Sequence, residues 1–183
     1  MAGSLVLVDE YTVSSGLASV TIGGGTSSTS GIDFAIDSTY NVYQLIINGL
    51  ETDTDSSSVQ IRVTTSGTPD DDSQYDEAAK QFKSYTTYAD NSDTNETSWG
   101  FNTIGSTSGS AFNLIAYLFN FTNASEYSFA TFEAATSDTT LDFRGKQGGG
   151  VHTVAEVNDG INVFLSTGGN IDAGKFRLYG LKK

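Results

Sequence analysis

The sequence predicts an all-β domain, a two-sheet antiparallel β-sandwich with a jelly roll as the first choice of topology. Apolar residues recur with a period of two along most of the chain, the pattern of strands with one face buried. Turn-forming clusters interrupt them at spacings of roughly eight to twelve residues, which suits two packed antiparallel sheets. Ser and Thr together number 46, Gly 20 and Pro 1, a composition rich in turns and poor in helix formers. At 183 residues the chain suits a single domain, 1–183, with its own core.

Taken in order, residues 5–13, 17–22 and 32–36 are the first strand candidates, with a glycine- and serine-rich turn at 23–31. Tyr43, Leu45 and Ile47 then line one face of a segment whose other face carries Gln44 and Asn48. Val59, Ile61 and Val63 alternate with Gln60, Arg62 and Thr64. Residues 76–83 (DEAAKQFK) are the one helix-like stretch, about two turns long. A helix that short is marginal alone, so it is expected as a loop excursion. Strands are expected at 97–104, 127–134, 139–143 and 151–157, and turns at 53–58, 66–73, 90–95, 105–110 and 145–150. Residues 112–121 (FNLIAYLFNF) are apolar on both faces: Phe112, Leu114 and Leu118 on one, Ile115, Tyr117, Phe119 and Phe121 on the other. A strand of that kind is central in a layered structure or covered by a neighbouring subunit. Ile161, Val163 and Leu165 are expected to face Phe176 and Leu178 across a closing hairpin, and the count is about ten to twelve strands.

Charge bounds the partners. Asp and Glu number 22 against 9 Lys and Arg, for a net −13. Such a surface repels phosphates and anionic lipid, so neither nucleic acid nor membrane insertion is expected. No stretch approaches the ~18 apolar residues of a membrane helix, and the N-terminus lacks the basic and apolar regions of a signal peptide. The chain has no Cys, so disulfides and thiolate metal sites are unavailable to it.

Chemistry-bearing motifs are sparse. His152 is the sole histidine and no G-x-S-x-G turn accompanies it, so a Ser-His-Asp triad is not expected. A surface or interface role is expected for His152 instead. The acids lie mainly in loops, without the apolar context that raises a catalytic carboxyl's pKa. Asp53, Asp55 and Asp70–Asp72 offer hard oxygen ligands but lack calcium-loop spacing, so solvated loops are expected of them, with weak calcium binding the alternative. We therefore expect no catalytic residues, no metal site and no cofactor. Three glycosylation sequons, at Asn95, Asn120 and Asn123, are chance matches in a Ser/Thr-rich chain. Trp99, Tyr75, Tyr85 and Tyr88 lie in or beside polar stretches, where aromatic rings stack on sugars or on a partner. Trp99, Tyr85, Tyr88, Phe119 and Phe121 are thus the candidate ligand or partner contacts.

Two stretches resemble a recurring domain of tailed-bacteriophage virion proteins. The first runs YNVYQLIINGL from Tyr40 to Leu50, then Thr52-Asp53, then a strand carrying Ile61-Arg62. The second is INVFLSTGGNIDAGKFRLYGL, residues 161–181, similar to the family's closing pair of strands. The resemblance implies a jelly-roll-like sandwich that assembles with itself, often as a homotrimer, and with other virion proteins. It implies assembly in the host cytoplasm and release by lysis, and it supplies no catalytic residue. The chain starts with Met, is one domain long and has no heptad or collagen-like repeat. That favours a free-standing capsid decoration or head or tail appendage. A receptor-binding module that recognises a host-surface glycan through the loop aromatics is the alternative.

Overall fold

The computed structural model describes residues 4–24 and 34–182 and places thirteen strands and no helix among them. They are β1 (Ser4–Val13), β2 (Ser19–Ile22), β3 (Val42–Thr52), β4 (Ser57–Thr65), β5 (Thr68–Pro69), β6 (Tyr75–Lys83) and β7 (Ala89–Glu96), then β8 (Trp99–Ile104), β9 (Phe112–Phe119), β10 (Tyr127–Ser137), β11 (Phe143–Ala155), β12 (Gly160–Leu165) and β13 (Ile171–Lys182). An eight-stranded sheet has the order β1-β13-β3-β9-β10-β11-β6-β7. The second sheet runs β2-β12-β4-β5, with β8 also on β4. All these pairings are antiparallel.

Within this order lies a complete jelly roll. The quartets β1-β13-β3-β9 and β2-β12-β4-β8 are its two sheets, and among these eight strands the chain changes sheet at every step except β4 to β8, the order expected of two Greek keys. Residues between β4 and β8 supply β5, β6 and β7, and those between β9 and β12 supply β10 and β11. Four of these inserted strands, β10-β11-β6-β7, extend the first quartet into the large sheet.

Period-two alternation places the core between the sheets. In β3, Tyr43, Leu45 and Ile47 are buried; in β4, Val59, Ile61 and Val63; in β12, Ile161, Val163 and Leu165. β9 turns Phe112, Leu114, Ala116 and Leu118 inward. Trp99 and Phe101 of β8 fill the space under the inserted strands, Trp99 against the Tyr75 ring edge and Phe101 between Phe112 and Phe132.

Several expectations are corrected. β12 and β13 are not a hairpin, because β12 pairs with β2 and β4 while β13 pairs with β1 and β3. Their apolar residues meet across the sandwich instead. Residues 76–83 are strand β6, not a loop excursion: Tyr75 and Glu77 point inward and are buried while Ala78 and Lys80 are exposed. Pairing to both β11 and β7 outweighs the helix propensity of Glu, Ala and Lys. Residues 90–95 lie in β7, and 145–150 lie inside the long β11 rather than in turns. The glycines there are required by packing. A Cβ on Gly150 would lie 2.4 Å from Trp99 Nε1, and one on Gly148 2.5 Å from Ala79 Cβ. Of the strand expected at 32–36, residues 32–33 lie outside the described residues and 34–36 are not in a strand.

The strand expected at 139–143 is a turn closed on Asp138, and only Phe143 belongs to a strand. The Asp138 carboxylate accepts from Thr140 N and Oγ1, from Asp142 N and from Arg144 Nε. Leu141 takes a φ of 64° inside this turn. Burial works to raise the Asp138 pKa, but the bonds from Thr140, Arg144 and Asp142 outweigh it and hold the group at about 2. A depressed folded pKa gives stability present above the unfolded value near ~4 and lost as pH falls towards 2. Asp138→Asn is therefore expected to lower stability by about 1–3 kcal/mol at neutral pH. In urea titrations the gap to the native chain closes as pH approaches 2, and a gap constant with pH contradicts the assignment.

Candidate functional site

The outer face of the eight-stranded sheet is the surface on which the unpaired apolar side chains gather. One row of neighbours crosses all eight strands: Glu10, Arg177, Ile46, Ile115, Glu133, Gln147, Lys80 and Asp90. The next row sets Tyr179, Gln44, Tyr117, Thr131, Gly149 and Ala78 side by side. A third aligns Val42, Phe119, Phe129 and Val151. Ile115 is 45 % exposed, Tyr117 40 % and Phe129 44 %. With Phe119 and Val151, which are half-buried, they form a continuous apolar band where a solvated sheet face carries polar residues.

Two groups of charges on this face are paired. Arg177 and Lys175 both bridge Glu10, at 2.7 and 3.0 Å, and hold its carboxyl below the ordinary range. Lys80 pairs with Asp90, and Gln147 donates to Glu133 at 2.7 Å. A trough of 390 Å³ runs between Tyr117 and Gln147, and Gln44 lines it. Gln44 is buried and its Oε1 accepts no hydrogen bond among the described residues. A buried acceptor without a donor costs stability unless a donor arrives from outside.

The sequence-predicted contacts separate into three groups. Trp99 and Phe121 are corrected: at 2 % and 3 % exposure they are core residues. Trp99 sits at the start of β8 over the Gly150 backbone, and Phe121 lies beyond the end of β9, where it breaks the alternation and turns inward. Tyr75 is buried likewise. Tyr85 and Tyr88 are exposed in the β6–β7 connection, Tyr88 edge-on to Phe82 and Tyr85 under the Arg144 guanidinium at 5.6 Å. Phe119 alone joins the apolar band. The large-sheet partners of that band, Phe129 and Val151, were not singled out in the sequence, because alternation gives faces but not neighbouring strands.

No protein-family model matches the chain, and neither a curated protein nor a solved structure does. Among the described residues, no helix is long and apolar enough to cross a membrane.

His152 is not at the surface. It is fully buried on β11 beside the Tyr75 ring, and its Nε2 lies 2.8 Å from Asp70 Oδ2. Inward alternation in a strand paired on both edges places it there. Ligand atoms of Asp70, His152 and Glu156 lie within 4.8 Å of one another. His152 Nδ1, however, has no partner among the described residues. Ligating histidines ordinarily have that second nitrogen bonded. The pair thus pins the 70–74 loop to β11, and thermal melts are expected to show the same Tm with chelator and with added Zn²⁺ or Ca²⁺. A rise with one cation contradicts this. Asp53 and Asp55 are likewise taken up by the chain, Asp53 by Thr54 and Asn170 and Asp55 by Ser106.

Proposed function

We propose that the chain is a structural component of a tailed-phage virion, a capsid decoration or head or tail appendage, that assembles as a homotrimer through the outer face of its large sheet. The observation that carries the reading is the apolar band of Ile115, Tyr117, Phe119 and Phe129 on an open sheet face. In a chain of net charge −13, copies repel one another except where local charge is balanced. Part of this face is paired in that way, Glu10 with Arg177 and Lys175 and Asp90 with Lys80, while Glu133 meets the neutral Gln147 and Asp76 adjoins Val151 at the edge of the band. The jelly-roll order supports the reading, because the motifs that resemble phage virion domains fall on β3, β4, β12 and β13 of its core. Fold alone does not decide function. Other virion proteins are the further partners, met in the host cytoplasm before lysis.

Glycan binding is the second reading. It loses Trp99 as a stacking platform and retains Tyr85 and Tyr88, exposed by 48 % and 68 %.

Because the chain has no Cys, a single introduced thiol reports on the face. Tyr117→Cys is expected to react slowly with an alkylating reagent at high protein concentration and faster on dilution, while Ser108→Cys in an exposed loop reacts fast throughout. Equal, concentration-independent rates at both positions contradict a covered face.

A further inference from the structure

We infer that Lys146 and Asn91 become joined by an intramolecular isopeptide bond, with Glu77 carrying the protons, so that β7 is covalently tied to β11 across β6. This goes beyond the proposed assembly and does not depend on it. Lys146 and Glu77 form an ion pair in the core, their side chains 3 % and 4 % exposed. The Phe101 and Phe132 rings lie 5.7 and 5.8 Å from Nζ. Nζ donates to Glu77 Oε1 and to the Gly100 carbonyl. Asn91 Nδ2 donates to that same Oε1 at 2.8 Å and to Asp93 Oδ2 at 2.6 Å. Gln81 Nε2 donates to the Asn91 amide oxygen at 3.1 Å. The nucleophile and the leaving nitrogen therefore share one carboxylate oxygen, and a donor already faces the carbonyl that develops negative charge.

The register explains the meeting. Lys146 pairs with Gln81, and Asn91 with Ala79, one step along the same inward face; Glu77 lies one step further. Gly148, opposite Ala79, has no side chain to stand between them. An ion pair alone accounts for Lys146 and Glu77 but not for the orientation of Asn91.

The chemistry balances without an oxidant or a cofactor. Burial raises the Glu77 pKa, and the reaction begins with transfer of one proton from Nζ to Glu77 Oε1. Neutral Nζ attacks Asn91 Cγ, and the oxyanion takes the Gln81 N–H. Glu77 passes its proton to Nδ2, the Cγ–Nδ2 bond breaks and ammonia leaves. The surplus proton on Nζ returns to Glu77. One ammonium, one carboxylate and one primary amide become a secondary amide, ammonia and a neutral carboxyl group. Approach is intramolecular, which supplies the large effective concentration an uncatalysed amide exchange needs.

The test is the intact mass of the purified full-length protein, denatured after incubation at neutral pH, with peptide mapping. The native chain is expected to be lighter than its sequence by one ammonia, and to yield a branched peptide joining Asn91 to Lys146. Asn91→Ala, on the outermost strand and leaving the ion pair in place, is expected to fold and to show its full sequence mass. Glu77→Gln is expected to remain unlinked. A native chain of full sequence mass overturns the inference. So does a loss of one water with Lys146 joined to Glu77, or a lost ammonia that persists in Asn91→Ala.

Discussion

A chain ending before Ile171 is expected to be unfolded. β13 lies between β1 and β3, so removing it exposes two strand edges in the middle of the jelly-roll half of the large sheet. It also removes Ile171, Phe176 and Leu178, all fully buried. Full burial of each such side chain stabilises by about 1.5–3 kcal/mol, so the three together match a large part of a typical 5–15 kcal/mol margin, roughly speaking. Gly174 has a φ of 142° and a Cβ there would lie 3.1 Å from the Leu50 Cα, while Gly180 lies under the Tyr40 ring. No other segment can fill those places. Near-UV circular dichroism should be lost on truncation, and a retained aromatic signal with a cooperative melt contradicts the topology.

Trp99→Ala is expected to cost about 3–5 kcal/mol, the range for deleting a buried aromatic. The indole fills the space that Gly150 leaves, stands edge-on to Tyr75 at 5.4 Å and is 2 % exposed. Urea unfolding measures the change. A loss below ~1 kcal/mol, together with a selective loss of ligand binding, would return Trp99 to the surface role that its polar sequence neighbours suggest.

Where the sequence was legible, one residue's environment depended on its own strand. Val59, Ile61 and Val63 alternate because β4 has one face in the core, and that is visible without knowing its neighbours. The sandwich class followed. Where it was illegible, the environment came from a distant strand. Residues 76–83 read as helical until β11 and β7 supply hydrogen bonds on both edges. Residues 148–150 read as a turn until Trp99 and Ala79 are seen to occupy the places of absent side chains. Asn91, Glu77 and Lys146 are polar residues in loop-like or mixed segments, and only the register brings them together. The apolar band was half legible. The double-sided apolar character of residues 112–121 marked β9, but Phe129 and Val151 join it through pairing alone. Trp99 misled because Ser98 and Gly100 around it look like a loop, while they bond to the half-buried Gln60 and the buried Glu77.

In the proposed assembly the outer face of the large sheet is covered by copies of the same chain. The most direct test is the solution mass by light scattering of the native protein beside an Ile115→Asp/Tyr117→Asp double variant. Both positions are outward-facing and exposed, so the variant keeps the core. A trimer is expected for the native chain and a folded monomer for the variant. A native monomer, or a variant that remains trimeric, contradicts it.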